Sequence, residues 1–221
     1  MVVRLAEGVW WIQLRGVNAY LVEDRDDLVL CDAGMPWHRS ALRSQIAETG
    51  HAETDIDRIL ITHYDLDHVG GLTGLDCEAP IYAGGDDIAF LRGDAKPPLT
   101  NHKGLLQRGM GLFLDHPTQP VRAIADGETV GSFTAYHTPG HNPGHIAYIS
   151  EDLGVGLLGD LVRSSNGGLA ASPWLFSYDT RAVKRSIRSL VDRAPMFAVA
   201  CPGHGTPLRE HGSAALASLV E

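Results

Sequence analysis

The chain of 221 residues has a length typical of one large domain or two small ones. Its 44% hydrophobic and 20% charged residues exclude a disordered polyelectrolyte and provide enough apolar side chains for a sizeable core. The formal net charge of -9, without any basic run, argues against a nucleic-acid partner. Three cysteines, Cys31, Cys77 and Cys201, are too few for a disulfide scaffold.

The N-terminal segment predicts neither export nor a membrane anchor. Residues 1–14 lack the basic start, the long apolar stretch and the cleavage site of a signal peptide. No apolar run in the sequence approaches the ~20 residues that span a bilayer. We therefore expect a cytoplasmic protein without a membrane partner, and the sequence leaves the oligomeric state open.

The first third of the chain predicts strands and one helix. Four segments are rich in β-branched, aromatic or other apolar residues, as strands are: residues 9–14, 19–22, 28–31 and 56–62. Pro36 and an apolar stripe with helical spacing predict a helix that ends at Gly50. A strand, a helix and a strand in this order indicate a crossover unit of an α/β fold.

Residues 84–120 interrupt this pattern with six glycines and four prolines. Because only residues 105–114 have a helical pattern, we interpret the segment as an insertion rather than a domain of its own. Beyond it, strands are predicted over residues 129–136, 146–149, 155–158 and 197–200. Asp179 or Thr180 is predicted to cap a long helix, and residues 214–220 are predicted to form a short closing helix.

Side chains that bind metals follow four of these predicted strands, each in a loop that contains glycine. They occur in THYDLDHVGG, TPGHNPGH, LLGD and CPGHG and are His63, Asp65, Asp67, His68, His141, His145, Asp160 and His204. In α/β proteins the carboxyl ends of the strands meet at one edge of the sheet, where ligands bind. Imidazole and carboxylate groups together suit zinc and other first-row divalent metals. The sequence therefore predicts a metal site built from distant segments.

These motifs, together with Asp32 in CDAG, resemble five successive signatures of the metallo-β-lactamase superfamily. HYDLDH takes the place of the family's HxHxDH pattern. The resemblance covers nearly the whole chain except the insertion and the loop over residues 163–178. It implies a single domain over residues 1–221, with the insertion at about 84–120, folded as a four-layer αββα sandwich of two mixed β-sheets flanked by helices.

The resemblance also implies two divalent metal ions, with zinc expected first and manganese or iron as alternatives. Carried over by position, the ligands are His63, residue 65 and His141 for the first ion and Asp67, His68 and His204 for the second. Asp160 is expected to bridge the two ions.

Other residues are expected to act around these ligands. Three side chains are expected to orient the ligands from the side that faces away from the ions: Asp32, Thr62 and His145. Asp67 and His68 are expected to take part in catalysis, Asp67 by passing a proton toward the leaving group. Candidates for substrate contacts are Tyr64, Met110, Phe113, Trp174 and Phe176, with Leu105, Leu106 and Leu112 of the insertion as further parts of an apolar wall. Packing of these apolar side chains onto the core explains them equally well.

The departure from the family pattern is Asp65, which stands where the pattern has histidine. Three interpretations stay open: two metal ions with a carboxylate ligand in the first position, one metal ion, or an inactive site. Two divalent cations with Asp67, Asp160 and a bridging hydroxide carry a net charge of +1, and Asp65 lowers it to zero. This count predicts a site that attracts anionic substrates less and polarises its bound water less strongly.

The motifs imply a hydrolase that uses a metal-bridging hydroxide to cleave an ester-like, lactone or thioester bond in a small-molecule substrate. A glyoxalase II-like thioesterase is an alternative, although few residues follow His204 where such enzymes have a helical region. A mononuclear non-haem iron dioxygenase of the same fold, with His63, His141 and Asp160 as its ligands, is a second alternative. A non-enzymatic binding module is the third.

Overall fold

The protein is built from two mixed β-sheets with helices on their outer faces. The structure, a computed structural model, describes residues 1–220; Glu221, the last residue of the predicted domain, lies outside the described residues. Within residues 1–220 there are fourteen strands, in sheets of seven, five and two strands, and six α-helices.

The first sheet has its seven strands in chain order: β1 (Val2–Ala6), β2 (Val9–Leu14), β3 (Val17–Asp24), β4 (Asp27–Cys31), β5 (Ile56–Leu60), β6 (Ile81–Gly84) and β7 (Val121–Ile124). β1 to β4 pair antiparallel, whereas β4 to β7 pair parallel. The connections between the parallel strands carry the helices α1 (Arg39–Glu48), α2 (Leu66–Val69), α3 (Gly85–Leu91) and α4 (His102–Met110).

The second half of the chain forms the other sheet and its helices. Its elements are β8 (Thr129–Val130), β9 (Phe133–His137), β10 (Ile146–Ser150), β11 (Val155–Gly159), β12 (Val162–Ser165), β13 (Gly168–Ala171), α5 (Thr180–Arg193), β14 (Val199–Pro202) and α6 (Gly212–Ala217). The sheet order is β14-β11-β10-β9-β8, and β12 and β13 form a separate hairpin. Only the β11–β14 pair is parallel within this sheet.

Three apolar clusters separate four layers. In β4, Leu28 and Leu30 pack toward α1 and α3, while Val29 and Cys31 pack against the second sheet. This alternation explains why the strand reads as a continuous apolar run, because both of its faces are buried. A third cluster joins the outer face of the second sheet to α5 and α6. The predicted four-layer αββα sandwich of two mixed sheets is therefore confirmed.

Several predicted boundaries were wrong. β1, β6, β7 and the β12–β13 hairpin were missed. β1, β7, β12 and β13 are short and mostly partly buried or exposed, so their apolar pattern is weak. β6 is buried at three of its four positions but is too short to give a clear pattern. The predicted strand over residues 129–136 is split into β8 and β9 by a turn at Gly131, where φ is +63°. The insertion contains two helices: α3, which was missed, and α4, which begins at His102, after the Asn101 cap, and ends at Met110 rather than spanning residues 105–114. Asp179 caps α5, and its side chain accepts from Arg181 N.

The strand directions bring the predicted ligand loops to one edge of the sandwich. β4 and β5 are parallel, so the loops that follow them leave the first sheet on the same side. β9 and β11 are each antiparallel to β10, and β11 is parallel to β14, so these three strands share one direction in the second sheet. No helix among the described residues combines the length and the apolarity needed to cross a bilayer.

Tyr148 links the two sheets through a buried hydroxyl, which lies 3.1 Å from both Ile61 O and Tyr82 O. We expect Tyr148→Phe to lower the free energy of unfolding by about 0.5–1.5 kcal/mol, because the hydrogen bond is lost while the ring packing is kept. Urea unfolding measures this change. The matched control is Tyr82→Phe, because the Tyr82 hydroxyl accepts only an exposed hydrogen bond from Arg122. An equal loss of stability in both variants would contradict a stabilising role of the buried Tyr148 hydroxyl.

Candidate metal centre

Loops from both sheets bring the seven predicted ligands together. The 62–71 loop follows β5, the 138–145 loop follows β9, Asp160 follows β11 and His204 follows β14. Three sets of donor atoms result, each within 4.8 Å of one another. We call His63, Asp65 and His141 the first ligand group and Asp67, His68 and His204 the second ligand group; the third set, His63, His68 and Asp160, joins them. The sequence motifs separated by up to 141 positions therefore meet in space.

The first ligand group has the spacing of a coordination site. Asp65 Oδ2 lies 3.1 Å from His141 Nε2 and 3.3 Å from His63 Nε2, and the two nitrogens are 3.1 Å apart. A tetrahedral zinc ion with ligands at ~2.0–2.1 Å has its ligand atoms ~3.3 Å apart. The three donor atoms therefore fit around one ion without a change in their positions.

The second ligand group is more open, and Asp160 lies between the two groups. His204 Nε2 is 3.4 Å and His68 Nε2 is 3.9 Å from Asp67 Oδ2. Asp160 Oδ2 lies 3.1 Å from His204 Nε2 and 3.5 Å from His141 Nε2, while its Oδ1 lies 3.5 Å from His68 Nε2. Asp160 therefore contacts one imidazole of the first group and two of the second.

Each ligand imidazole is fixed through Nδ1, which leaves Nε2 directed into the centre. The partners of Nδ1 are Thr62 Oγ1 for His63, Asp32 Oδ2 for His68, Ser172 Oγ for His141 and the Gly16 carbonyl for His204, at 2.9, 2.8, 2.9 and 2.6 Å. His68 Nε2 and Asp160 Oδ1 are buried and have no hydrogen-bond partner within residues 1–220. Because a buried polar atom without a partner is costly, these atoms fit a metal ion.

Asp32 orients two of the ligands at once. It has a left-handed backbone, with φ of +57°, which aspartate tolerates better than most residues. Its carboxylate accepts from Thr62 N and Thr62 Oγ1 at 2.9 and 2.8 Å, in addition to His68 Nδ1. Since the single hydroxyl hydrogen of Thr62 goes to Asp32, Thr62 Oγ1 accepts from His63 Nδ1. The two residues thus stand behind the ligands, where the sequence analysis expected them.

His145 contacts the ligands without joining either group. Its ring stacks on that of His63, with centroids 5.2 Å apart, and its Nδ1 is 2.8 Å from Thr138 Oγ1. Nε2 is buried without a partner among the described residues, and a Cβ on Gly159 would come within 2.9 Å of it. Burial holds the pKa of His145 well below its usual range, so the ring is neutral.

The imidazoles differ strongly in charge because their surroundings differ. Burial and the neighbouring His68 lower the pKa of His63 to about 3. Burial disfavours charge at His68 too, but the carboxylates of Asp32, Asp160 and Asp67 outweigh it and raise the pKa of His68 to about 10. Asp160 similarly overcomes burial and raises the pKa of His204 to about 9. A metal ion must displace these protons, so affinity for the ion falls as the pH is lowered.

The sequence analysis missed Lys103, which contacts the candidate ligand Asp65. Lys103 Nζ lies 3.0 Å from Asp65 Oδ2 and also donates to the His141 carbonyl at 3.0 Å. Its positive charge returns the net charge predicted for a two-metal site from zero to +1, so the expectation of an uncharged centre was incomplete. No motif marks Lys103, because it meets Asp65 only through the packing of α4 against the ligand loops.

Three further polar residues form hydrogen bonds to the ligand loops, and the sequence analysis did not identify them as site residues. Gln107 and Asn142 both donate side-chain N–H groups to Asp65 Oδ1 and to the Tyr64 carbonyl. Asp87 accepts from Tyr64 N at 2.7 Å and from Gly144 N at 3.2 Å, which ties the 62–71 loop to the 138–145 loop. Burial raises the pKa of Asp87 to about 6.

A cavity of about 410 Å³ opens onto both ligand groups. Its walls are mainly apolar and include Met35, Leu66, Leu106, Met110, Leu114 and Phe176. Of the five candidates for substrate contacts, Tyr64, Met110 and Phe176 line the cavity. Phe113 and Trp174 do not belong to its lining and are 69% and 65% exposed. Leu105 and Leu112 likewise lie outside it, whereas Leu106 belongs to the wall.

Curated proteins with similar sequences include metallo-hydrolases and a thioesterase. The chain is 32% identical over 209 residues to "Uncharacterized protein YobT" of Bacillus subtilis, covering 87% of this chain and 84% of the relative. It is 25% identical to "Probable metallo-hydrolase YflN" of the same organism, covering 92% and 86%. It is 26% identical to "Atrochrysone carboxyl ACP thioesterase" of Aspergillus fumigatus, covering 94% of this chain but only 41% of that protein.

Solved structures and a family model agree on the fold. A metallo-beta-lactamase of Cronobacter sakazakii, described by its HARLDQ motif, superposes with a TM-score of 0.73 at 20% identity, covering 99% of this chain and 90% of that one. The subclass B3 metallo-beta-lactamase BJP-1 of Bradyrhizobium japonicum superposes with a TM-score of 0.69 at 22% identity, covering 99% and 90%. The model of the metallo-beta-lactamase superfamily matches residues 12–214. By this match over most of its length, the chain belongs to the metallo-beta-lactamase superfamily.

Proposed function

We propose that this protein is a metal-dependent hydrolase that cleaves an ester-like, thioester or lactone bond in a small molecule with an apolar portion. The observation that carries the proposal is the position of the two ligand groups, which both contact Asp160 and open together into an apolar cavity. The thioesterase among the relatives supports an acyl substrate. The net charge of -9 argues against a nucleic-acid substrate.

The residues present fit two divalent ions, for which zinc is the first expectation. The first ligand group would hold one ion, the second ligand group the other, and Asp160 would contact both. Divalent ions at such a centre polarise a carbonyl group and make a water nucleophile available near neutral pH. If only one iron were bound, as in a dioxygenase, the second ligand group would have no function.

The side chains around the ions position the substrate and move the proton. Asp67 lines the cavity, and its Oδ2 lies 3.4 Å from His204 Nε2. Its carboxylate would take the proton that the attacking water loses and pass it to the leaving group. Ser172 also lines the cavity, but its Oγ is bonded to His141 Nδ1 and to Ser177 Oγ, so it supports a ligand rather than attacking the substrate. The apolar walls exclude bulk water from the scissile bond and bind the apolar part of the substrate.

We expect removal of the metal ions by a chelator to abolish hydrolysis, and addition of zinc to restore it. Elemental analysis of the purified protein should find about two divalent ions per chain, since there are two ligand groups. A panel of aryl esters, thioesters and lactones tests the bond type. A protein that keeps full activity after complete metal removal, or that holds one iron and consumes oxygen, would contradict the proposal.

We expect Gly203→Ala to damage the centre, because the added Cβ would lie 2.0 Å from Asp160 Oδ1. Displacement of Asp160 should lower the affinity for metal ions by ~10–100-fold, with a matching loss of activity at limiting zinc. The control is Gly85→Ala, whose Cβ would meet nothing within 4 Å. Equal metal content and activity in both variants would show that Asp160 does not bridge.

We expect longer acyl chains to be better substrates until the cavity is filled. Each methylene group buried against the apolar wall contributes ~0.8 kcal/mol, so kcat/KM should rise by about fourfold per methylene from acetyl to hexanoyl esters. Leu106→Ala should weaken this dependence, because Leu106 lines the cavity. Leu105→Ala should not, because Leu105 is 59% exposed and lies outside the lining. A preference for acetyl esters in the wild-type protein would argue against an apolar acyl group.

A further inference from the structure

Lys103 places a buried ammonium group against a candidate metal ligand. The side chain is only 2% exposed, and within residues 1–220 Asp65 is the only carboxylate in ion-pair distance of it. Its second contact is the His141 carbonyl, which belongs to the residue that stands beside Asp65 in the first ligand group. Because a buried charge without a partner is strongly destabilising, the position of this lysine depends on Asp65.

The two oxygens of Asp65 have different neighbours. Oδ1 accepts from the amides of Gln107 and Asn142, which fix the plane of the carboxylate. Oδ2 faces the Nε2 atoms of His63 and His141, and it is this oxygen that Lys103 contacts at 3.0 Å. The lysine therefore changes the charge of the donor atom, while the two amides determine its orientation.

Helix α4 holds Lys103 rigidly in this position. Asn101 caps the helix by accepting from Lys103 N, and its amide donates to the Tyr178 carbonyl. The Tyr178 hydroxyl donates to Gln107 Oε1, one turn further along the same helix. At Gly104 helix α4 packs so closely against the preceding segment that an added Cβ would clash with the Pro98 carbonyl oxygen. The ammonium group is thus part of a packed structure rather than of a mobile surface chain.

We propose that Asp65 and Lys103 act together as one neutral ligand unit of the first metal position, equivalent in charge to a single imidazole. The carboxylate provides the donor oxygen, and the ammonium offsets its charge. Lys103 is then a positioning residue that acts through Asp65 on the charge balance of the centre. The inference rests on the proposed function, because it concerns the ions that the two ligand groups would hold.

A double-mutant cycle between the two positions tests this unit by its effect on zinc affinity. The affinity of the metal-free protein is measured by competition with a chromophoric chelator. Lys103→Met should bind the first zinc roughly tenfold more tightly, because a repelling cation is removed while Gln107 and Asn142 still orient Asp65. Asp65→His should bind it ~10–100-fold more weakly, because the lysine then faces the ion without a counter-charge. The double variant should return to within about threefold of the wild type.

The two single variants are expected to change zinc affinity in opposite directions. If Lys103 and Asp65 had only a structural role, both variants would weaken zinc binding. Lys96→Met, which removes an exposed lysine from the same segment, is the matched control and should leave zinc affinity unchanged. With cobalt in place of zinc, the absorption spectrum should change in Asp65→His and in the double variant, as an oxygen donor is exchanged for nitrogen. In Lys103→Met the spectrum should keep its intensity and band pattern, because the donor atoms are the same.

Each outcome decides the proposal. Single variants that both weaken zinc binding, with effects that add in the double variant, would overturn it. If Asp65→His fails to fold but the double variant folds, the result supports the pair; if neither folds, the equivalence to an imidazole is wrong. A wild-type protein that binds no zinc overturns the proposed function and this inference together. A wild type that binds two zinc ions and hydrolyses esters, with an additive cycle, overturns the inference alone.

Discussion

The hydrogen bonds made by Nδ1 of the four ligand imidazoles determine what the rest of this site is able to do. Once Nδ1 is engaged by Thr62, Asp32, Ser172 or the Gly16 carbonyl, Nε2 of each ring is directed into one small volume. Such a concentration of unpaired nitrogens and carboxylates in a buried place is costly unless protons or cations occupy it. The raised pKa values of His68 and His204 show how protons meet this demand in the metal-free chain.

The ligands are divided between the two sheets, which couples ion binding to the stability of the whole sandwich. The loop after β5 contributes four ligand side chains, and the second sheet contributes His141, Asp160 and His204. A bound ion would therefore connect the sheets at an edge where the protein itself provides hydrogen bonds from Asn18 and Tyr20 to the Pro202 carbonyl. Ligands that bind only the folded state stabilise it in proportion to their concentration over Kd.

Local patterns in the sequence were sufficient to predict an α/β fold and the seven side chains that lie together at one edge of it, whereas the four-layer sandwich followed from the resemblance of the motifs to the metallo-β-lactamase superfamily. Strands with both faces buried are continuous apolar runs, and the ligands follow them in short motifs with glycine. Short and partly buried strands such as β1 and β7 have no comparable pattern and were missed. Lys103, Gln107 and Ser172 reach the ligands from elements distant in the chain, so their contacts depend on tertiary packing that no motif encodes.

Helix α4 is at once a wall of the cavity and the support of a ligand. Leu106 and Met110 face the space where an acyl group would bind, while Lys103 and Gln107, on the same nine-residue helix, contact Asp65. A change of sequence in this helix would therefore alter the cavity wall and the surroundings of Asp65 together. A laboratory graft that exchanges the segment to obtain a new specificity would have to transplant position 65 along with it.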